Sequence, residues 1–417
     1  MSVDATPDPY ADQLAFGQRL KILRTRRGHT RDQLGGLVGR SGSWVRALEE
    51  GRLKVPRLDT VLRLAEALRV RDLGELTGDQ SSPPVGLFAG PRHPRLGPVK
   101  AAIDTWSLAD TEEAPPAEHL AARLAAAWSA RHSAPDHRER IGALLPGLIQ
   151  DARRAAVQAE TPADRRATQA ALSEVYSLAQ FFIAYQGDVS LLWRVVERGM
   201  VAAQDSADPH TIGVAAWLAA QAHRDSGPGH FDAADTVTND VLRYLTPMLP
   251  DAPDKILAIT GALTFEAAYT AARRGETGTA WRHWDRAREL ADRLPADYFH
   301  PVTSFSRGIM GAHAVTVAVE LHAGGESVRQ AGLADADTIP SRPRRARHRI
   351  EEARAYHLDG QPDAALATLA KAHAAAPETI KYNGYAKRIV LEEAEAKSPS
   401  RRRRASALAV QLGILAA

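Results

Sequence analysis

With 417 residues, 44% of them hydrophobic, the chain can bury cores in two or three domains and is too apolar for disorder throughout. It has no cysteine, which excludes a disulfide framework, a thiol nucleophile and a Cys-based zinc site, and fits a reducing compartment. The net charge of +3 is unevenly spread: residues 16–77 hold fourteen Lys/Arg against seven Asp/Glu, leaving the remainder acidic. The first ten residues carry no apolar leader, and no run of about 18 apolar residues lacks a charge, so a cytoplasmic protein with no membrane partner is expected.

In chain order, residues 16–27 predict a helix with an apolar stripe of Phe16, Leu20 and Leu23 among Arg19, Lys21, Arg24, Arg26 and Arg27. Thr30 is an N-cap type, followed by a stripe of Leu34, Leu37 and Val38. Gly39 then supplies a left-handed turn. Ser41 caps the next helix, whose Val45 and Leu48 face inward and leave Gly42, Ser43, Trp44, Arg46 and Ala47 outward. A fourth helix spans residues 58–68, and Leu73 and Leu76 supply a short fifth. Five prolines between residues 79 and 98 predict an interdomain linker, reckoned over 79–115, with a short helix around Ile103, Trp106 and Leu108.

These capped, Gly-turned helices resemble the lambda-repressor-like helix-turn-helix of the xenobiotic-response-element family, in which the second helix of the motif enters the major groove. The likeness spans residues 16–77 and departs from the family at Arg40, where an aliphatic residue is usual. It implies a double-stranded DNA operator as partner, contacted by Arg31, Gln33, Arg40, Ser41, Ser43, Trp44, Arg46, Ala47, Arg52 and Lys54. Arg57 adds a further cation for phosphate contact.

Beyond Pro116 the pattern is helical and repetitive. Gly275 is followed by Ala280, Trp284 and Ala287; Gly360 is followed at the same offsets by Ala365, Leu369 and Ala372. Gly229 with Ala234, and Gly187 with Leu192 and Val196, keep the same phase. The pattern resembles the tetratricopeptide repeat, although the intervals between glycines (42, 46 and 85) exceed its usual period. The expected fold class is therefore all-α: a five-helix helix-turn-helix domain at residues 14–78, then a tetratricopeptide-like α-solenoid for sensing and dimerisation at 116–417. With that phase, Phe181, Tyr185, His223, Phe265, Tyr269, Arg273, Arg354 and His357 line the concave face, together with Ala219 and Ile350. Aromatic bodies with Arg and His tips suit a peptide or a small molecule bearing negative charge.

No HExxH, calcium loop, GxGxxG, Walker loop or nucleophile elbow occurs. Neither an enzyme nor a cofactor or metal is expected. The resemblances imply a homodimeric transcriptional regulator with a small-molecule or peptide effector, of the actinobacterial type that often governs secondary metabolism. The rival reading is an interaction protein whose repeats hold a protein partner.

Overall fold

The computed structural model describes residues 9–56, 58–68, 70, 76, 93–106 and 112–414. Expectations for Arg57, Leu73, residues 79–92 and Leu108 lie outside them. Among the described residues the chain is helical with no strand. It divides into two compact units, one within residues 1–87 and one holding nearly all of residues 88–417.

In the first unit, α1 (Pro9–Arg26), α2 (Arg31–Leu37), α3 (Gly42–Glu49) and α4 (Leu58–Ala67) enclose a core that includes Phe16, Leu20, Leu34, Val45, Leu48 and Leu64. The Thr30 hydroxyl accepts from the Gln33 N–H while the Gln33 side chain accepts from the Thr30 N–H, a capping box that satisfies two orphan donors. Gly39 sits at φ +67°, and Ser41 caps α3 by accepting from the Trp44 N–H.

Two expectations change here. Leu37 is 60% exposed, because α2 is only seven residues long and Leu34 and Val38 already fill its inward stripe. Gly42 is buried, since the start of α3 lies against Asp32, where a Cβ on Gly42 would stand 1.9 Å from the carboxylate. A Cβ on Gly17 would lie 2.3 Å from the Leu48 carbonyl oxygen, so α1 meets the end of α3 backbone to side.

The second unit opens with α5 (Leu96–Asp104), inside the span expected to be linker. Val99 and Ile103 are fully buried in the main core of this unit, so the helix belongs to it. Helical hairpins follow: α6 (Ala117–Ser133) with α7 (His137–Gln158), α8 (Pro162–Ile183) with α9 (Val189–Ser206), and α10 (Pro209–Asp225) with α11 (Phe231–Leu245). Then come α12 (Asp254–Arg274) with α13 (Thr277–Asp292), α14 (Ile309–Glu320) with α15 (Gly324–Leu333), and α16 (Arg342–Leu358) with α17 (Pro362–Ala375). The short α18 (Pro377–Lys381) precedes α19 (Gly384–Ala394) with α20 (Pro399–Gln411).

The first helix of each hairpin packs on the first helix of the next, which makes a helical solenoid. Gly275 (φ +81°) and Gly360 (φ +75°) end α12 and α16, and Ala280, Ala287, Ala365, Leu369 and Ala372 are buried where the paired helices touch. The long interval between those glycines holds a complete additional hairpin, α14 with α15. Its turn places His322, not a glycine, at φ +57°. The array also closes on itself, for α6 contacts α16.

Glycine at position 17 is set by contact and at position 36 by nothing nearby. Gly17→Ala is expected to cost the first unit about 1–3 kcal/mol through overpacking. Gly36→Ala, on the open side of α2, should gain roughly 0.5–1 kcal/mol of helix stability. Hydrogen exchange of the α3 amides in the full-length chain reads both.

Candidate functional site

The outward face of α3 is held by a buried carboxylate. Glu49, whose side chain is 1% exposed, accepts from Arg24 of α1 (Nε–Oε1 2.5 Å, Nη2–Oε2 3.3 Å) and from Arg31 of α2 (Nε–Oε2 2.8 Å). Arg24 also donates to the His29 carbonyl at 2.7 Å. One anion thus ties the three helices that frame the turn, and charge-assisted bonds of this kind are about twice as strong as neutral ones. Arg31 is accordingly spent on Glu49, with a third of its side chain left outside, and Gln33 is spent on the capping box.

The other residues expected on this surface remain accessible. Arg40, Ser41, Ser43, Arg46, Arg52 and Lys54 are exposed, and Trp44 and Ala47 are half-buried. The Ser41 and Ser43 hydroxyls share a bond of 2.8 Å, and Arg40 lies over the Trp44 ring at 5.6 Å. Arg46 pairs with Glu50 at 2.7 Å, and Arg52 pairs with the same carboxylate. Glu50 therefore falls below the usual carboxylate range, chiefly through its bond to Arg46. Pairs this exposed are worth little, so Arg46 can exchange Glu50 for another acceptor.

The residues expected to line the solenoid separate into groups. Tyr269, Arg273 and Arg354 gather around Glu320 of α14, with Phe265 beside Tyr269. Tyr269 Oη donates to Glu320 at 3.5 Å, Arg354 bonds Glu320 and Glu351 at 2.7 Å each, and Arg273 stands 3.8 Å from Glu320 and 3.6 Å from Asp225. Burial opposes ionisation of Glu320, but Arg354 and Arg273 outweigh it and hold its carboxyl at about 2. Phe265 is buried and stacks on His313 at 3.5 Å, and Tyr269 lies beneath the Arg224 guanidinium at 3.9 Å. This group is a packed ion-pair core with little free surface.

Phe181 and Tyr185 lie elsewhere and are half-buried. Phe181 packs between Trp128 (5.8 Å) and Trp217 (6.1 Å), with the Arg131 guanidinium 3.9 Å above its ring. Tyr185 is held at φ +68°, a conformation costly for a residue with a Cβ and found mostly where surroundings enforce it. Of the remaining expected residues, His223 packs on Trp193 at 4.6 Å, and His357 faces Glu392 (3.5 Å) and Glu393 (3.4 Å). Ala219 and Ile350 are buried in hydrophobic clusters.

Arg131, Arg138 and Arg344 were absent from the expected lining, yet all three reach the interior. A readable signal existed in α16, where Arg344, Arg347, Glu351 and Arg354 recur at helical spacing, and in α6, where Trp128 and Arg131 lie three apart.

Where the array closes, His132 of α6 bonds the Ser341 hydroxyl at 2.8 Å and the Pro301 carbonyl at 2.6 Å. The Arg138 N–H donates to Glu378 at 2.6 Å, and Arg344 donates to the Thr303 carbonyl at 2.8 Å. Among the described residues no group of three metal-ligating side chains forms, and no helix is long and apolar enough to cross a membrane.

A family model described as a helix-turn-helix domain matches residues 15–77. The N-terminal unit is thus a helix-turn-helix domain, as its capped and turned helices require. None of the curated proteins matches the chain. Among solved structures, one of a PrgX mutant is similar over 94% of this chain and 99% of that chain, at 9% identity and a TM-score of 0.29.

The closing seam gives a pH dependence. Burial, then the charge of Arg131, lowers His132 to about 4; burial, then Lys255, lowers His210 to about 4; burial, then Arg138, lowers His137 to about 2. Unfolding returns each to about 6.5, so the unfolded chain binds more protons and stability falls as pH drops from about 6.5 toward 4. Glu320, with a folded value of about 2, keeps its contribution above about 4.5 and loses it only below that window. Thermal midpoints of the second unit should be level above pH 7 and decline below 6.5, with a shallower slope in His132→Asn.

Proposed function

We propose that this chain is a DNA-binding transcriptional regulator acting in the cytoplasm as a homodimer, with the helical unit sensing a small-molecule or peptide effector. The observation that carries the reading is the exposed face of α3: Ser43, Arg46 and Ala47 with Trp44 beside them, on a helix fixed from behind by Glu49. A rigid helix presenting Arg, Ser and an aromatic edge fits the major groove, where Arg can take a guanine bidentately and an apolar edge can meet a thymine methyl. Arg40, Arg52 and Lys54 stand outside that face as exposed cations suited to phosphates.

What supports the sensing role in the helical unit is the seam where Arg131 and Arg344 flank Phe181 and Trp217, a combination of Arg and aromatic side chains that suits recognition of a ligand. Control of secondary metabolism rests on the resemblance alone. Sequencing genomic fragments retained by the full-length protein tests the main claim: enrichment of one recurring motif supports it, and unspecific retention opposes it.

Two outcomes follow. Arg46→Ala should weaken binding of the enriched operator by about 1–3 kcal/mol in a gel shift and relax selectivity at one base pair. Unchanged affinity would remove Arg46 from base contact. Since one helix-turn-helix covers a half-site, the operator should contain two half-sites about 34 Å apart. Light scattering of the protein bound to it should then give twice the protomer mass.

A further inference from the structure

The interior of the helical unit is not uniformly charge-balanced. Around Glu320 every guanidinium has a carboxylate: Arg273 and Arg354 share Glu320, Arg347 pairs with Glu351, and Arg224 pairs with Glu266. At the seam where α6 meets α16 the balance fails. Arg131, Arg138 and Arg344 have no side-chain ion pair within 4.0 Å among the described residues, although Arg131 is 6% and Arg138 7% exposed; of the three, Arg138 still stands in the field of the Glu378 carboxylate, and Arg131 and Arg344 face none. Their only acceptors are backbone carbonyls, Phe182 for Arg138 (2.7 Å) and Thr303 for Arg344 (2.8 Å). Arg131 Nη1, Arg138 Nε and Arg344 Nε are buried with no acceptor. Natural interiors rarely leave such donors unmet, and a guanidinium is the donor most costly to leave so.

These cations converge. Arg131 stands 3.9 Å over the Phe181 ring, Phe181 meets Trp217 at 6.1 Å, and Arg344 stands 5.5 Å over Trp217. Two guanidiniums, from the first and the sixth hairpins of the array, therefore flank one aromatic pair. Burial, then Arg344 and Arg138, push Arg131 well below its ordinary value. Burial, then Arg347, brings Arg344 down to about 10. Tyr185, in its enforced left-handed conformation, lies near both Arg138 and Arg344.

We propose that Arg131 and Arg344 form an oxyanion site on the Phe181–Trp217 platform, and that its ligand is an organic acid with an aromatic or apolar body. The geometry supplies fork-shaped donors for a carboxylate or phosphate and flat apolar walls for the rest of the molecule. Bound there, an anion bridges α6 to α16 and replaces repulsion across the seam by attraction, so occupancy and closure of the array are linked. The assignment rests on the reading of this unit as a sensor and gives that reading its ligand class.

The test is the thermal midpoint of the full-length protein in sodium chloride, against phenylacetate, inorganic phosphate and neutral phenylacetamide at millimolar concentration and matched ionic strength. Phenylacetate should raise the midpoint saturably and phenylacetamide should not. A response to phosphate as well assigns the recognition to the oxyanion alone; its absence assigns part of it to the platform. Arg131→Gln and Arg344→Gln should each lose the response, and Arg344→Gln should melt no lower than the parent in chloride, because it removes an uncompensated charge.

No shift with either anion, an equal shift with the amide, or a full response in both glutamine variants would overturn the site. Should one variant fail to fold, the other and Arg344→Lys, expected to retain a weakened response, decide the matter. The operator gel shift with the same anions separates the two levels. Anion binding without any change in DNA affinity leaves the site standing and removes the sensor reading. Effector control of DNA binding in both glutamine variants does the reverse.

Discussion

Burying charge is the constraint on which the helical unit depends. Its inward faces carry guanidiniums from α6, α7, α10, α12 and α16, and each loses hydration that only an ion pair or a set of hydrogen bonds can offset. Glu320 takes on most of that load in the middle of the array. It accepts from α12 through Tyr269 and from α16 through Arg354, so the spacing of three successive hairpins is fixed by one carboxylate. The hydrophobic clusters then lie between the paired helices, where Ala280, Ala287, Ala365 and Ala372 allow close approach.

The same logic, at smaller scale, shapes the N-terminal unit. Its core is modest, and its three framing helices are joined by Glu49, by close backbone approaches at Gly17 and Gly35, and by the Asp32 carboxylate against Gly42. Stiffness behind α3 frees its outer face for polar and cationic side chains that contribute little to folding. A reading head needs that division, because side chains recruited to the core could not also meet a base edge.

The seam between α6 and α16 departs from the pattern. His132 is kept neutral, Arg131 and Arg344 are kept without carboxylates, and Tyr185 is kept in an unfavourable backbone conformation. A fold selected only for stability would place an acid or an apolar residue at such positions. Local costs of this kind concentrate where a protein binds something or changes state.

The sequence by itself determined the local structure. Thr30, Gly39 and Ser41 announce a capped helix, a left-handed turn and a second capped helix. Gly275 and Gly360 announce two helix ends in one phase. Each of these signals acts through neighbours only a few residues away, so no knowledge of the fold is needed to read it. The ion pairs were not legible in this way. Arg31 looked free until Glu49, eighteen residues on, proved to hold it. Leu37 looked like core until α2 proved too short to bury it. Helical phase puts Tyr269 and Arg273 on one face of α12, but whether a residue on that face meets a cavity, a carboxylate or another ring depends on which helix lies opposite. His132 finds Ser341 across 209 residues of chain. No spacing rule reaches that far, since the partner is chosen by the accumulated rotation of every hairpin between them. Tertiary structure alone therefore decided that the first hairpin would meet the sixth, and that Arg131 and Arg344 would be left there without a carboxylate.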